Sequence, residues 1–240
     1  MTEPDEAQTA PTASPAAADA PLLNRAAWRR ILPFLAYVFF IFAGDMLERM
    51  GHTPASLLWL YPVKITVVIV LLALFWRDYN ELGRPAPRRT VALAAAAGAV
   101  VLVLWISLDA PWMIVGAAAG YDPRLGGAID WPLALVRLAG AALVVPVMEE
   151  LFWRSFLMRW IESAEFQSVD PSRLGIKSFV VTAVLFGFEH NLWLAGIVAG
   201  AVYGWLYHRC RTLWAPIVAH AVTNGLLGVW VVATGNWSYW

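Results

Sequence analysis

The chain has 240 residues, 60% of them apolar and 14% charged, with 14 Trp and a formal net charge of zero. Soluble domains lie nearer half apolar and a quarter charged, so this composition excludes an ordinary soluble domain and predicts a polytopic membrane protein: an all-α transmembrane helical bundle of about seven to eight spans. Balanced charge offers no basic face and excludes nucleic acid as a partner, while a single cysteine, Cys210, excludes an internal disulfide and a four-thiolate metal site.

Residues 1–23 are rich in Ala, Pro and Thr, carry Glu3, Asp5, Glu6 and Asp19, and contain no Lys or Arg, which predicts a disordered tail. Arg25, Arg29 and Arg30 immediately precede the first apolar run, so the first span is expected to be retained rather than cleaved as a signal peptide. Residues 24–240 then form one transmembrane domain. Apolar segments fall at about 28–44, 55–76, 90–108, 131–153 (with the helix continuing towards Trp160), 177–191, 193–208 and 212–234. The fifth and sixth are short and joined by a tight turn. Residues 109–130, with two prolines and four glycines, are a loop with room for a re-entrant or surface helix. Thirteen basic residues, from Arg25 to Arg211, fall on one side of this map and only Arg49 and Arg124 on the other, which predicts a cytoplasmic N-terminus. Trp28, Trp76, Trp131, Trp160, Trp193 and Trp214 sit near segment ends, where an indole suits the membrane interface.

Charge inside these spans needs a reason, since a charged side chain at bilayer depth costs about 3 kcal/mol even on lenient scales. Glu149, Glu150 and Arg154 interrupt the apolar run Val145–Arg154. Glu150 and Arg154 are four apart and share a helix face, as expected of an internal ion pair, whereas Glu149 points about 100° away and is free to face a cavity. Pro146 is expected to kink the helix and open space beside it. Phe186 and His190 share a face of the fifth helix, and His220 and Asn224 share a face of the seventh. Counted from the cytoplasmic side, Glu149 lies roughly 15 Å deep, His190 roughly 20 Å and His220 roughly 12 Å. One such His is readily explained as a hydrogen-bonding link between helices. Four polar side chains at a common depth favour a site at about 130–235, expected to open towards the cytoplasmic side. Glu189 is expected to pair with Lys64 or Arg137, and His52 and His208 to be solvated.

A carboxylate and an imidazole can hold and deprotonate a water, and a second imidazole with an amide N–H can stabilise an oxyanion, which is the chemistry of peptide-bond hydrolysis. The same residues suit zinc ligation through Glu149, His190 and His220, although no His-Glu-x-x-His helix anchors it. Two other classes compete. Cys210 lies between Arg209 and Arg211, cations that lower a thiol pKa, as an exosortase-like thiol transpeptidase would need. A non-enzymatic membrane scaffold or immunity protein would keep the polar residues as a core.

Glu149-Glu150-x-x-x-Arg154, Phe186-x-x-x-His190 and His220-x-x-x-Asn224, in this order on apolar helices, resemble the three motifs of the CPBP family of intramembrane proteases, which includes type II CAAX prenyl endopeptidases and bacterial Abi-type proteins. The Trp-rich run from Trp193 onwards resembles a bacterial branch associated with exosortase loci. The resemblance implies that Glu149 and His190 activate the water, that His220 and Asn224 form the oxyanion site, and that Glu150, Arg154 and Phe186 support them. It also implies an integral protein of a bacterial inner membrane acting on a protein or peptide substrate, membrane-anchored in some members, with membrane lipid around it. It leaves the metal open.

Overall fold

The computed structural model describes residues 23–116 and 120–240. The tail expected at residues 1–23 lies, apart from Leu23, outside them. The described residues form seven principal helices: α1 Arg25–Arg49, α2 Leu60–Phe75, α3 Arg88–Ser107, α4 Trp131–Trp160, α5 Ile176–Phe188, α6 Trp193–Cys210 and α7 Trp214–Thr234. Local chemistry sets several ends. The Asn24 side chain accepts from Ala27 N–H at 2.9 Å to start α1, and Asp130 accepts from Leu133 N–H at 3.0 Å to start α4, with Pro132 in the first turn where its missing N–H costs nothing. Gly235, at φ +72°, stops α7 by returning its N–H to Val231 O.

The fold is an all-α membrane bundle. Among the described residues, five helical stretches are long and apolar enough to cross a bilayer: α1, Pro54–Asp78 with α2 inside it, α3, α4 and α7. At 13 residues, α5 is only about 20 Å long and stops short of a full crossing, so α6 carries the chain back. Exposed Phe39, Phe42, Leu74 and Leu143, all above 60% accessible, face outward as lipid requires. Within 109–130 the described residues hold no long helix. A single turn at Pro111–Met113 is followed by a small hairpin of β1 Arg124–Leu125 and β2 Ala128–Ile129, closed by Gly126 and Gly127, both at positive φ.

Two ends of the bundle are tied differently. At the arginine-rich end, Arg30 bridges α1 to Glu81 and to Ser155 of α4, and Trp214 Nε1 donates to Leu82 O at 3.2 Å. At the opposite end, Asn191, in the α5–α6 turn, exchanges bonds with Val115 at 2.8 and 2.9 Å, so the 109–116 loop dips onto that turn. Between them α3 and α7 approach very closely. A Cβ at Gly98 would overlap the Ala219 carbonyl oxygen, and Thr223 Oγ1 lies 2.9 Å from Gly98 O. This contact holds α7 where His220 and Asn224 face α4.

Candidate active site

α4 carries the charged stretch, and its winding widens to π-helix twice, over Gly140–Val144 and Leu151–Leu157. The first widening has a cause in the sequence. Val145 N–H reaches back five residues to Gly140 O, and the next donor in that register would be residue 146, a proline without an N–H. The Ala141 carbonyl is left without its backbone donor. Asn224 of α7 supplies one, Nδ2 to Ala141 O at 2.9 Å, and keeps a second amide N–H. Pro146 therefore does more than bend the helix, because it creates the acceptor that fixes Asn224.

Glu149 and Glu150 lie on the α-helical segment Val145–Glu150 between the two widened turns, only 4% and 0% exposed. Glu150 Oε1 accepts from Arg154 Nη1 at 3.0 Å and from His220 Nδ1 at 3.0 Å. Arg154 also donates to Gly200 O at 3.1 Å, with its guanidinium carbon 4.5 Å from the Phe186 ring centre. An ionised carboxylate only accepts, so His220 carries its proton on Nδ1 towards Glu150 and turns Nε2 to Glu149 Oε2, 4.0 Å away. That Glu149 oxygen is buried with no hydrogen-bond partner among the described residues. His190, just past the end of α5, has Nδ1 2.8 Å from Phe186 O. A carbonyl also only accepts, so this ring carries a proton on Nδ1, and its neutral form leaves Nε2 as an acceptor.

Glu149, His190, His220 and Asn224 line one cavity of about 160 Å³, with Phe186 and Tyr203 among its other walls. It has room for several waters. Beside it, Tyr203 stacks on His220 with ring centres 4.9 Å apart and donates its hydroxyl to Thr223 at 2.8 Å. The Trp105 ring meets His190 edge-on at 5.2 Å. Buried, water-accessible acid, imidazole and amide groups in one pocket can do acid–base and oxyanion chemistry.

Residues 131–226 match the family model described as Rce1-like, type II CAAX prenyl endopeptidase. Over those residues the chain is similar to the type II CAAX prenyl endopeptidases. The matched stretch is less than half of the chain, but it runs from the first residue of α4 to beyond Asn224 and so contains the whole cavity cluster. That family is one of proteases, and the apolar helices make this an integral membrane protein. The match assigns no branch. No curated protein and no solved structure matches the chain.

All four motif side chains expected at a site reach the cavity, and Glu150 pairs with Arg154 as the spacing predicted. Glu150 has a second contact that the sequence did not reveal, the bond to His220, because helical spacing relates residues of one helix and says nothing about which faces meet. Tyr203 and Trp105 were missed for the same reason. Three expectations need correction. Glu189 takes the Trp153 indole N–H at 3.1 Å and pairs with neither Lys64 nor Arg137, which lie on aromatic rings instead. His208 is not simply solvated, since its Nδ1 lies 3.1 Å from Pro171 O. Finally, the cavity walls do not reach the arginine-rich end, where Met158, Leu206 and Leu213 are packed at no more than 1% exposure. It extends towards Arg137, Tyr239 and Trp240, on the opposite side. Cys210 lines a separate surface cavity with Arg211 and Tyr207, away from the histidines of the site.

Proposed function

We propose that the protein is an intramembrane endopeptidase in which Glu149 and His190 activate a water while His220 and Asn224 bind the oxyanion. The observation that carries this reading is the convergence of these four side chains, from three separate helical regions, on one cavity. A water held between Glu149 and His190 Nε2 gives its proton to Glu149 as its oxygen attacks the scissile carbonyl carbon. Negative charge builds on the carbonyl oxygen, where the free Asn224 N–H and a protonated His220 Nε2 donate to it. Glu150, shared between Arg154 and His220, balances the imidazolium. When the C–N bond breaks, Glu149 returns the proton to the departing amine, leaving a carboxyl and an amine terminus. The substrate is a protein or peptide held in the membrane, and the arginine-rich end, with the N-terminus, lies in the cytoplasm.

Among the described residues no three His, Cys, Asp or Glu side chains converge as a metal-binding group. The steps above pass through protein groups alone, and zinc held by Glu149, His190 and His220 is the alternative. The test is cleavage of membrane-protein and peptide substrates by purified wild type and Glu149→Gln in detergent. Equal turnover by the two ends the assignment. Turnover that falls on chelation and returns with zinc would replace the metal-free mechanism.

A further inference from the structure

Lys64 and Arg137 are the basic residues inside the spans that the mechanism above leaves unused. Among the described residues neither has a carboxylate within ion-pair distance. Both lie on aromatic rings. Lys64 Nζ is 4.1 Å from the Tyr37 ring centre and 5.1 Å from that of Tyr61, while Arg137 Cζ is 4.5 Å from Tyr61 and 5.9 Å from Trp240. Ring contacts replace only part of the hydration these cations give up, and two like charges over a shared ring repel. Arg137 Nε is buried without a hydrogen-bond partner. An anion is the ligand that answers all three features.

There is space for one. Lys64 and Arg137 line a second cavity of about 510 Å³, and Arg137 and Trp240 belong to its wall and to that of the site cavity alike. Its carboxylates do not neutralise the pair: Asp45 is held by Arg49 at 2.9 Å, Asp122 by Arg124 at 2.6 Å, and Glu48 is exposed at the rim.

We propose that Lys64 and Arg137 form an anion subsite that takes a carboxylate of the polypeptide substrate, with the chain passing Arg137 and Trp240 into the site cavity. The inference rests on the endopeptidase reading above. That Arg137 and Trp240 wall both cavities favours a polypeptide over a lipid phosphate, and a guanidinium fork matches a carboxylate well. Arg137 and Glu149 are twelve residues apart on α4, about 18 Å along the axis. An extended chain covers that distance in about five residues, so the recognised carboxylate belongs within roughly five residues of the scissile bond.

The experiment uses the full chain in detergent micelles with paired fluorogenic peptides, identical except for a terminal carboxylate or carboxamide. The carboxylate peptide is expected to show about tenfold higher kcat/KM, a preference lost in Arg137→Met and Lys64→Met and retained in Lys64→Arg. Equal kcat/KM for the two peptides, or a preference that survives Arg137→Met, overturns the subsite while leaving Glu149-dependent cleavage standing. If wild type cleaves neither peptide, the endopeptidase reading fails, and fluorescence anisotropy of the same labelled peptides decides the subsite separately. Tighter binding of the carboxylate peptide that disappears in Arg137→Met supports it, and equal affinities overturn it. A rise in melting temperature with phosphatidylglycerol, absent in Arg137→Met and without peptide discrimination, would assign the pair to a lipid headgroup instead.

Discussion

Two buried charge clusters tie α4 into the bundle, and they are built on opposite terms. At the arginine-rich end, Arg30 is bonded at every nitrogen: a fork onto Glu81 at 2.8 and 2.7 Å, Ser155 at 3.1 Å, and the carbonyls of Ala26 and Asp78. Near mid-helix, Arg154, Glu150 and His220 are joined, yet Glu149 Oε2, Glu150 Oε2 and Arg154 Nε have no partner among the described residues. Both clusters are largely buried. What separates them is satisfaction: a cluster that serves the fold closes its hydrogen bonds, and one that leaves a carboxylate oxygen on a cavity is poised for a substrate or a water.

The largest effect expected from breaking this contrast is on turnover without stability. Glu149→Gln keeps the shape and removes the base, so kcat should fall by up to about 10⁴-fold with the melting temperature nearly unchanged, read from parallel cleavage assays and thermal melts. Arg154→Met tests the other half of the same cluster. It leaves Glu150 buried with a single partner, and unfolding should cost about 3–5 kcal/mol less, with activity falling alongside. A folded, fully active Arg154→Met protein would remove the supporting role of the pair.

The sequence showed the charges of both clusters but only one of their roles. Glu150 and Arg154 were legible because both lie on one helix at a spacing that forces contact. Arg30 with Glu81 was not, since those residues are 51 positions apart in segments whose mutual approach follows from packing. The apolar spans were legible by length alone, whereas the direction of the cavity was not. Depth along a helix can be counted from its ends, but which way a cavity extends depends on side chains that only packing brings together. Pro146 stood out in the sequence as a kink; that it gives up the Ala141 carbonyl to Asn224 required the winding of α4 to be seen.

That link gives a smaller and sharper test. Asn224→Ala removes an oxyanion donor, and kcat should fall by about 10²- to 10³-fold. Pro146→Ala leaves Asn224 intact but restores a backbone N–H that competes for Ala141 O. A fall in kcat less than that of Asn224→Ala, with the fold retained, is the expected result. Unchanged kcat in Pro146→Ala would mean that Asn224 is held by something other than the π-turn.

The smallest effect belongs to the closed cluster and is one of pH. Glu81 lies between the spans, where burial raises its carboxyl, but the hydrogen bonds and charge of Arg30 and the hydroxyl of Ser155 outweigh this and hold it below the usual range. A carboxyl depressed in the folded state binds its proton more weakly there than in the unfolded chain. The stability it contributes is therefore complete above the unfolded value, about 4.3, and is lost as pH falls through the lower folded value. Glu81→Gln should lower stability by about 1.5–3 kcal/mol at neutral pH, the contribution of a charged hydrogen-bonded pair. The gap between wild type and Glu81→Gln should narrow in thermal melts taken from pH 5 downward, while cleavage at pH 7 by the folded variant persists. A gap that stays constant with pH would show that the Arg30 cluster holds α1 to α4 by shape and not by charge, and the contrast with the open cluster around Glu149 would then lose its electrostatic basis.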